Sequence, residues 1–109
     1  MKGFQITIMT EQNRRIEKKQ PMEWLMQVAA ELGISGATVF SGVESYGHDG
    51  RRHSARFFEL TDQPVEFVAA VTADQAQRLI DRINGVDTRV FYMKTEIEFG
   101  ELGAGASAG

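Results

Sequence analysis

The residues best suited to chemistry crowd into one short stretch: Glu44, His48, Asp49, Arg51, Arg52, His53 and Arg56 all fall within residues 44–56. Imidazole and carboxylate together are good ligands for zinc, nickel or copper, so His48 and His53 form the candidate metal pair, with Glu44 and Asp49 beside them. Their spacing matches no standard metal motif, and loop histidines serve equally well as plain polar surface. Ser41, Ser45 and Ser54 supply hydroxyls, but His53 and Ser54 are neighbours and would point to opposite faces of a strand. The sequence contains no nucleophile elbow, Walker loop or metalloprotease helix, and the expectation is a protein that is not an enzyme. Arg51, Arg52 and Arg56 suit another task. A guanidinium fork holds phosphate or carboxylate through two parallel hydrogen bonds, and Gly47 and Gly50 could turn backbone N–H groups toward the same anion. A solubilising charged loop explains these arginines as well as an anion clamp does.

The chain that must position these groups has 109 residues, the size of one domain with one core. Hydrophobic residues at 42% and charged residues at 25% are ordinary for a globular protein, and no apolar run approaches the roughly 20 residues of a membrane span. The start, MKGFQITIMT, is too short and polar for a signal peptide. With no cysteine, disulfides and thiolate chemistry are excluded, which agrees with a cytoplasmic location. A net charge of −3 argues against nucleic acid as a partner.

The elements read in order as follows. Phe4, Ile6 and Ile8 alternate with Gln5 and Thr7, the period of a strand with one buried face. Residues 11–20, with Arg14, Arg15, Lys18 and Lys19 and only Ile16 apolar, read as a mobile, solvated connection. Pro21 suits the first position of a helix, Met22, Leu25, Met26, Ala29 and Leu32 mark its apolar stripe, and Gly33 closes it. Residues 37–46 read as the second strand, feeding the reactive stretch. Residues 55–60 and 65–72 are both strand-like around a turn, and VEFVAAVT looks central. Thr72 and Gln75 have the spacing of a capping box, opening a helix with Ala76, Leu79, Ile80 and Ile83 on one face and its end at Asn84-Gly85. Alternation from Val86 to Phe99 gives the last strand, and ELGAGASAG reads as a disordered tail over residues 101–109.

Strand, helix, strand, strand, helix, strand is the order of an α+β ferredoxin-like βαββαβ sandwich, occupying residues 1–100 as one domain with two helices on one face of an antiparallel sheet. A domain this small has no third layer for the other face, so self-association is expected to cover it.

KKQPMEWLMQVAAELGISGATVFSGVESYG, GRRHSARFFEL and TDQPVEFVAAVT, in this order, resemble the PII-like proteins and most closely the family called domain of unknown function 190. The resemblance covers residues 6–72 well and the chain beyond Asp81 only in layout. It implies a homotrimer with a flexible T-loop, here residues 44–56, projecting from the second strand to engage a transporter or enzyme. It also implies adenine nucleotide (AMP, ADP or ATP) or bicarbonate as an effector in clefts between subunits, with no tightly bound cofactor. Thr38 and Gly42 then sit where base and ribose approach, Glu44, Gly47, Arg51, Arg52 and Arg56 lie in the T-loop, and Gly85 and Arg89 lie in the shorter B-loop position, residues 84–89. One departure is the acidic pair Glu96 and Glu98, where well-known relatives carry basic residues. Those carboxylates repel a polyphosphate unless a metal intervenes, so a less charged ligand is favoured. A related trimeric fold, CutA, supplies the alternative of a divalent-metal-binding or metal-tolerance protein through His48 and His53.

Overall fold

The computed structural model describes residues 1–41 and 64–105. Its elements are β1 (Lys2–Glu11), α1 (Pro21–Glu31), β2 (Gly36–Ser41), β3 (Pro64–Val71), α2 (Ala73–Asn84) and β4 (Phe91–Glu98). The strands form one antiparallel sheet in the order β2-β3-β1-β4, so β2 and β4 are its edges. This is the expected ferredoxin-like βαββαβ arrangement, with VEFVAAVT central between two partners. The strand expected at residues 55–60, the end of the second strand beyond Ser41 and the last residues of the tail lie outside the described residues.

Alternation decides which side chains face the helices. Ile6 pairs with Ala69 and Ile8 with Phe67, so Val65, Phe67, Ala69 and Val71 share one face with Ile6 and Ile8, and all six are buried. Helix α1 packs on β2 and β3, and α2 on β1 and β3, closing one core over that face. Each fully buried Phe, Leu or Ile contributes about 1.5–3 kcal/mol relative to exposure. The opposite face keeps its apolar groups in the open: Phe40 is 56% exposed and Phe91 63%, with Met9 and Met93 beside them.

Both helices end as their residues require. Thr72 accepts from the Gln75 N–H at 3.1 Å and Gln75 Oε1 accepts from the Thr72 N–H at 2.9 Å, the reciprocal capping box foreseen in the sequence. Gly33 takes φ +73 after α1, where its N–H meets the Ala30 carbonyl and the Ile34 N–H meets Ala29, a Schellman end with Ile34 buried beneath it. Gly85 has φ −86, so no left-handed turn demands glycine at that position.

Three sequence expectations change, the first being the last strand, which begins at Phe91 rather than Val86 because turn hydrogen bonds at Val86 and Thr88 hold the chain after α2. The buried stripe of α1 is Pro21, Trp24, Leu25, Val28 and Ala29, not the methionine series; Met26 is 41% exposed and Met22 half-buried. Both stripes have helical spacing and share Leu25 and Ala29, and the larger apolar area of Trp24 turns the helix toward its own side. The connection before α1 is also held rather than free. Ile16 and Lys19 exchange both backbone hydrogen bonds at 2.9 Å around Glu17 (φ 50) and Lys18 (φ 68), a tight turn of the type that normally takes Asn-Gly. Ile16 is fully buried, Glu17 accepts from the Trp24 indole N–H at 2.9 Å, and Lys19 donates to Gln27. Burial and these hydrogen bonds offset the left-handed backbone of non-glycine residues.

Gly3 on β1 permits a close approach: a Cβ there would lie 2.2 Å from the Val71 carbonyl oxygen and 2.7 Å from the Phe99 ring. Gly3→Ala is therefore expected to lower unfolding free energy by about 2–3 kcal/mol in urea titration, because backbone cannot move aside as a side chain can. Gly36→Ala, whose Cβ would meet nothing nearer than 3.9 Å, should change stability by less than about 1 kcal/mol. Equal effects of the two would refute the steric account.

Candidate functional site

The described candidate residues separate into two groups at opposite edges of the sheet. Thr38 is exposed on β2, opposite Val68 and on the open face with Phe40. Arg89 lies just before β4, exposed, with Gly85 at the end of α2. Three strand spacings, about 14 Å, separate β2 from β4, so one subunit does not bring Thr38 to Arg89. Gly42, Glu44, Gly47, Arg51, Arg52 and Arg56, and the alternative metal pair His48 and His53, lie outside the described residues.

The chain from α2 to β4 roofs an apolar groove. Residues 85–90 leave the helix through a bond from the Val86 N–H to Ile83 and turn where the Thr88 N–H meets the Val86 carbonyl. Ile6, Ile8, Ile80, Ile83 and Tyr92 line the groove beneath, about 310 Å³, and Arg89 stands at its rim. The groove exists because the helices leave the β4 end of their own face uncovered, where Tyr92 is 52% exposed. An aromatic or apolar moiety fits its floor and an anion its rim.

Charge is divided along β4. Glu96 and Glu98 are exposed on the helix side of the strand and line a cleft of about 590 Å³ with Lys2 and Phe4. Lys94 intervenes, with its ammonium 4.6 Å from the centre of the Phe4 ring. Arg89 stands at the other end, about 24 Å away along an extended chain. The acidic pair foreseen as hostile to polyphosphate therefore acts at the far end of the strand from Arg89, and Coulomb repulsion over that distance is screened by salt. Among the described residues no group of three or more His, Asp or Glu side chains could hold a metal ion. No described helix is long and apolar enough to cross a membrane.

Sequence reasoning missed two residues of this region. Gln12 reaches across from the end of β1 to donate from Nε2 to the Ser41 hydroxyl at 3.2 Å, tying down β2 where the reactive stretch departs. No local pattern signals that contact. Arg14, absorbed into a charged connection, returns toward the sheet through a turn closed by its N–H on the Glu11 carbonyl at 3.0 Å. The isolated Ile16 amid charges was the available sign that this connection folds back.

A profile of the DUF190 family, described as Uncharacterized ACR, matches residues 3–99. The chain belongs to the DUF190 family. Among solved structures it is similar to TTHA0516, a candidate PII-like signaling protein from Thermus thermophilus, with TM-score 0.62 and 17% identity over 89% of this chain and 88% of that one. It is also similar to CPII, a nitrogen regulatory PII-like protein from Thiomonas intermedia bound to ADP, AMP and bicarbonate, with TM-score 0.55 and 16% identity over 89% of each chain. The apo form of CPII gives TM-score 0.51 and 12% identity over 90% of this chain and 96% of that one. At these identities the likeness is one of fold, and the fold is PII-like.

The Gln12 contact generates an expectation of its own. Gln12→Ala should speed amide hydrogen exchange in β2 around Ser41 several-fold while moving the unfolding midpoint little, since one exposed neutral hydrogen bond contributes about 0.5–1.5 kcal/mol. Unchanged exchange in β2 would show that the strand end is held by its ladder to β3 alone.

Proposed function

We propose that this DUF190 member is a non-enzymatic PII-like regulatory protein. It binds a small effector, an adenine nucleotide or a small anion such as bicarbonate, in clefts between the subunits of a homotrimer. Through the T-loop at residues 44–56 it then signals to a target protein, a transporter or an enzyme.

The observation that carries this reading is the separation of Thr38 and Arg89 on the two edges of one sheet. A ligand that uses both must lie between two copies. Edge β2 of one copy meeting edge β4 of the next is a head-to-tail contact, which forms a ring when its rotation closes. The open sheet face, with Phe40, Phe91, Met9 and Met93, supplies apolar surface that such a ring would remove from water. The ADP, AMP and bicarbonate in CPII support this choice of effector class. Arg51, Arg52 and Arg56 would close on the bound anion, each charge-assisted contact contributing about 1.5–3 kcal/mol toward ordering part of the loop.

Light scattering tests the assembly, with a mass of three subunits expected. Calorimetric titration with AMP, ADP, ATP, bicarbonate and divalent metals tests the ligand, and binding of metal alone would favour the CutA-like alternative. Thr38→Val and Arg89→Ala should each weaken AMP or ADP binding about five- to tenfold, and mixed trimers of the two variants should recover some sites of parental affinity. A monomer, or mixed trimers with no recovered sites, would sink the shared cleft. Arg51→Ala with Arg52→Ala should weaken binding while leaving the trimer intact.

A further inference from the structure

The connection between β1 and α1 carries a basic turn that neither the groove nor the shared cleft uses. Arg14, Arg15, Lys18 and Lys19 put four cations into residues 14–19 against one carboxylate, in a chain whose net charge is −3. That carboxylate, Glu17, is engaged by the Trp24 indole N–H, and Lys19 donates to Gln27. Arg15 and Lys18 are exposed and make no hydrogen bond or ion pair among the described residues. Arg14 has only a stretched pair with Glu11, 3.9 Å from Nη2 to Oε1 with both side chains about half exposed, which contributes little in water.

Lys18 is the residue that local structure does not account for. Ile16 and Glu17 anchor the turn, but φ 68 at Lys18 would suit glycine without strain, and the lysine gains no contact in return. A strained position without a structural reward points to a function. Ile16 belongs to the core under the helices, so the turn lies on the helix side of the sheet, away from the open face of Phe40, Phe91, Met9 and Met93. It follows directly from the sheet end where Glu11 meets Pro64 and Ser41 meets Val65, the end from which residues 42–63 depart.

From this arrangement we propose that the turn at residues 14–19 is a docking surface for anionic phospholipid headgroups, which sets that end of the subunit against a membrane. Arg15 offers a guanidinium fork to a phosphodiester and Lys18 a mobile point charge. Neither lines the two clefts described above, so the surface is a projecting turn rather than a groove. No large apolar side chain between Thr10 and Leu25 is exposed. Protein interfaces draw affinity from buried aromatic and apolar anchors, whereas an anionic bilayer attracts cations without any, so the bilayer is the better match. Anchoring by Ile16 and Trp24 presents the charges already ordered, and little chain is immobilised on contact. Glu96 and Glu98 stand at the opposite end of the sheet, beyond the screening length of about 8 Å in physiological salt, and do not oppose the approach.

The test sediments the full chain, without nucleotide, with vesicles of phosphatidylcholine alone or mixed equally with phosphatidylglycerol. Binding should require phosphatidylglycerol and weaken as salt rises. Arg15→Ala and Lys18→Gly should each weaken it at least about fivefold, while Lys2→Ala, the same loss of charge at the opposite end, leaves it unchanged. Lys18→Gly should also raise the thermal unfolding midpoint by about 2–5 °C, because glycine accepts the left-handed backbone, and its weaker binding is then no sign of misfolding. No binding to the mixed vesicles, binding to phosphatidylcholine alone, or an equal effect of Lys2→Ala would overturn the proposal. Binding to polyglutamate but not to the mixed vesicles would overturn it in favour of an acidic protein partner. A lower unfolding midpoint for Lys18→Gly would overturn it by showing that the lysine serves the fold. The shared cleft enters none of these measurements, so its failure and the failure of this surface are distinguishable.

Discussion

Two helices can cover only one face of a four-stranded sheet, and the placement of every group that could bind a ligand depends on which face they take. Alternation puts Ile6, Ile8, Phe67 and Val71 on the covered side, where their burial supplies most of the driving force. The same alternation obliges their neighbours to point outward. Phe40, Phe91 and Met93 are therefore exposed as a consequence of where the helices lie, and an exposed apolar face is the usual mark of an interface.

Strand order has an equal share in the outcome. With β1 and β3 in the middle, the edges fall to β2, which leads into residues 42–63, and β4, which follows the α2 connection. Under the proposed function each edge supplies one half of the binding site, Thr38 on β2 and Arg89 before β4. The β1 strand touches both halves indirectly: its end holds Ser41 through Gln12, and its register sets Glu11 opposite Arg89. A change at the end of β1 would thus reach β2 through the Gln12–Ser41 hydrogen bond and β4 through the ladder that ends at Met9 and Phe91.

Electrostatics sorts the ends of β4 in the same way. Glu96 and Glu98 gather near Lys2 at one end, while Arg89 and Arg14 gather at the other. A polyanion on this strand would be held at its beginning and repelled at its close. A small anion at the Arg89 end lies too far from Glu96 and Glu98 to feel that repulsion once salt screens it.

Much of this was legible in the sequence because it depends on local chemistry. Alternation at Phe4, Ile6 and Ile8, the Thr72–Gln75 capping box and Gly33 after α1 are set by residues a few positions apart, so order and type of the elements follow from the chain itself. The linked motifs also sufficed to indicate the family. What sequence could not resolve was any choice between local alternatives of similar merit. Met22 and Met26 have the same helical spacing as Trp24 and Val28, and only the fit against β2 and β3 selects the second set. Residues 11–20 look solvated until Ile16 finds the core and Glu17 finds the Trp24 indole. Likewise Arg14 and Arg89 are ordinary surface charges in the linear chain, far apart in number. They become neighbours because antiparallel pairing of β1 with β4 makes sequence distance irrelevant, and that pairing is decided by packing over the whole sheet rather than by any residue in it.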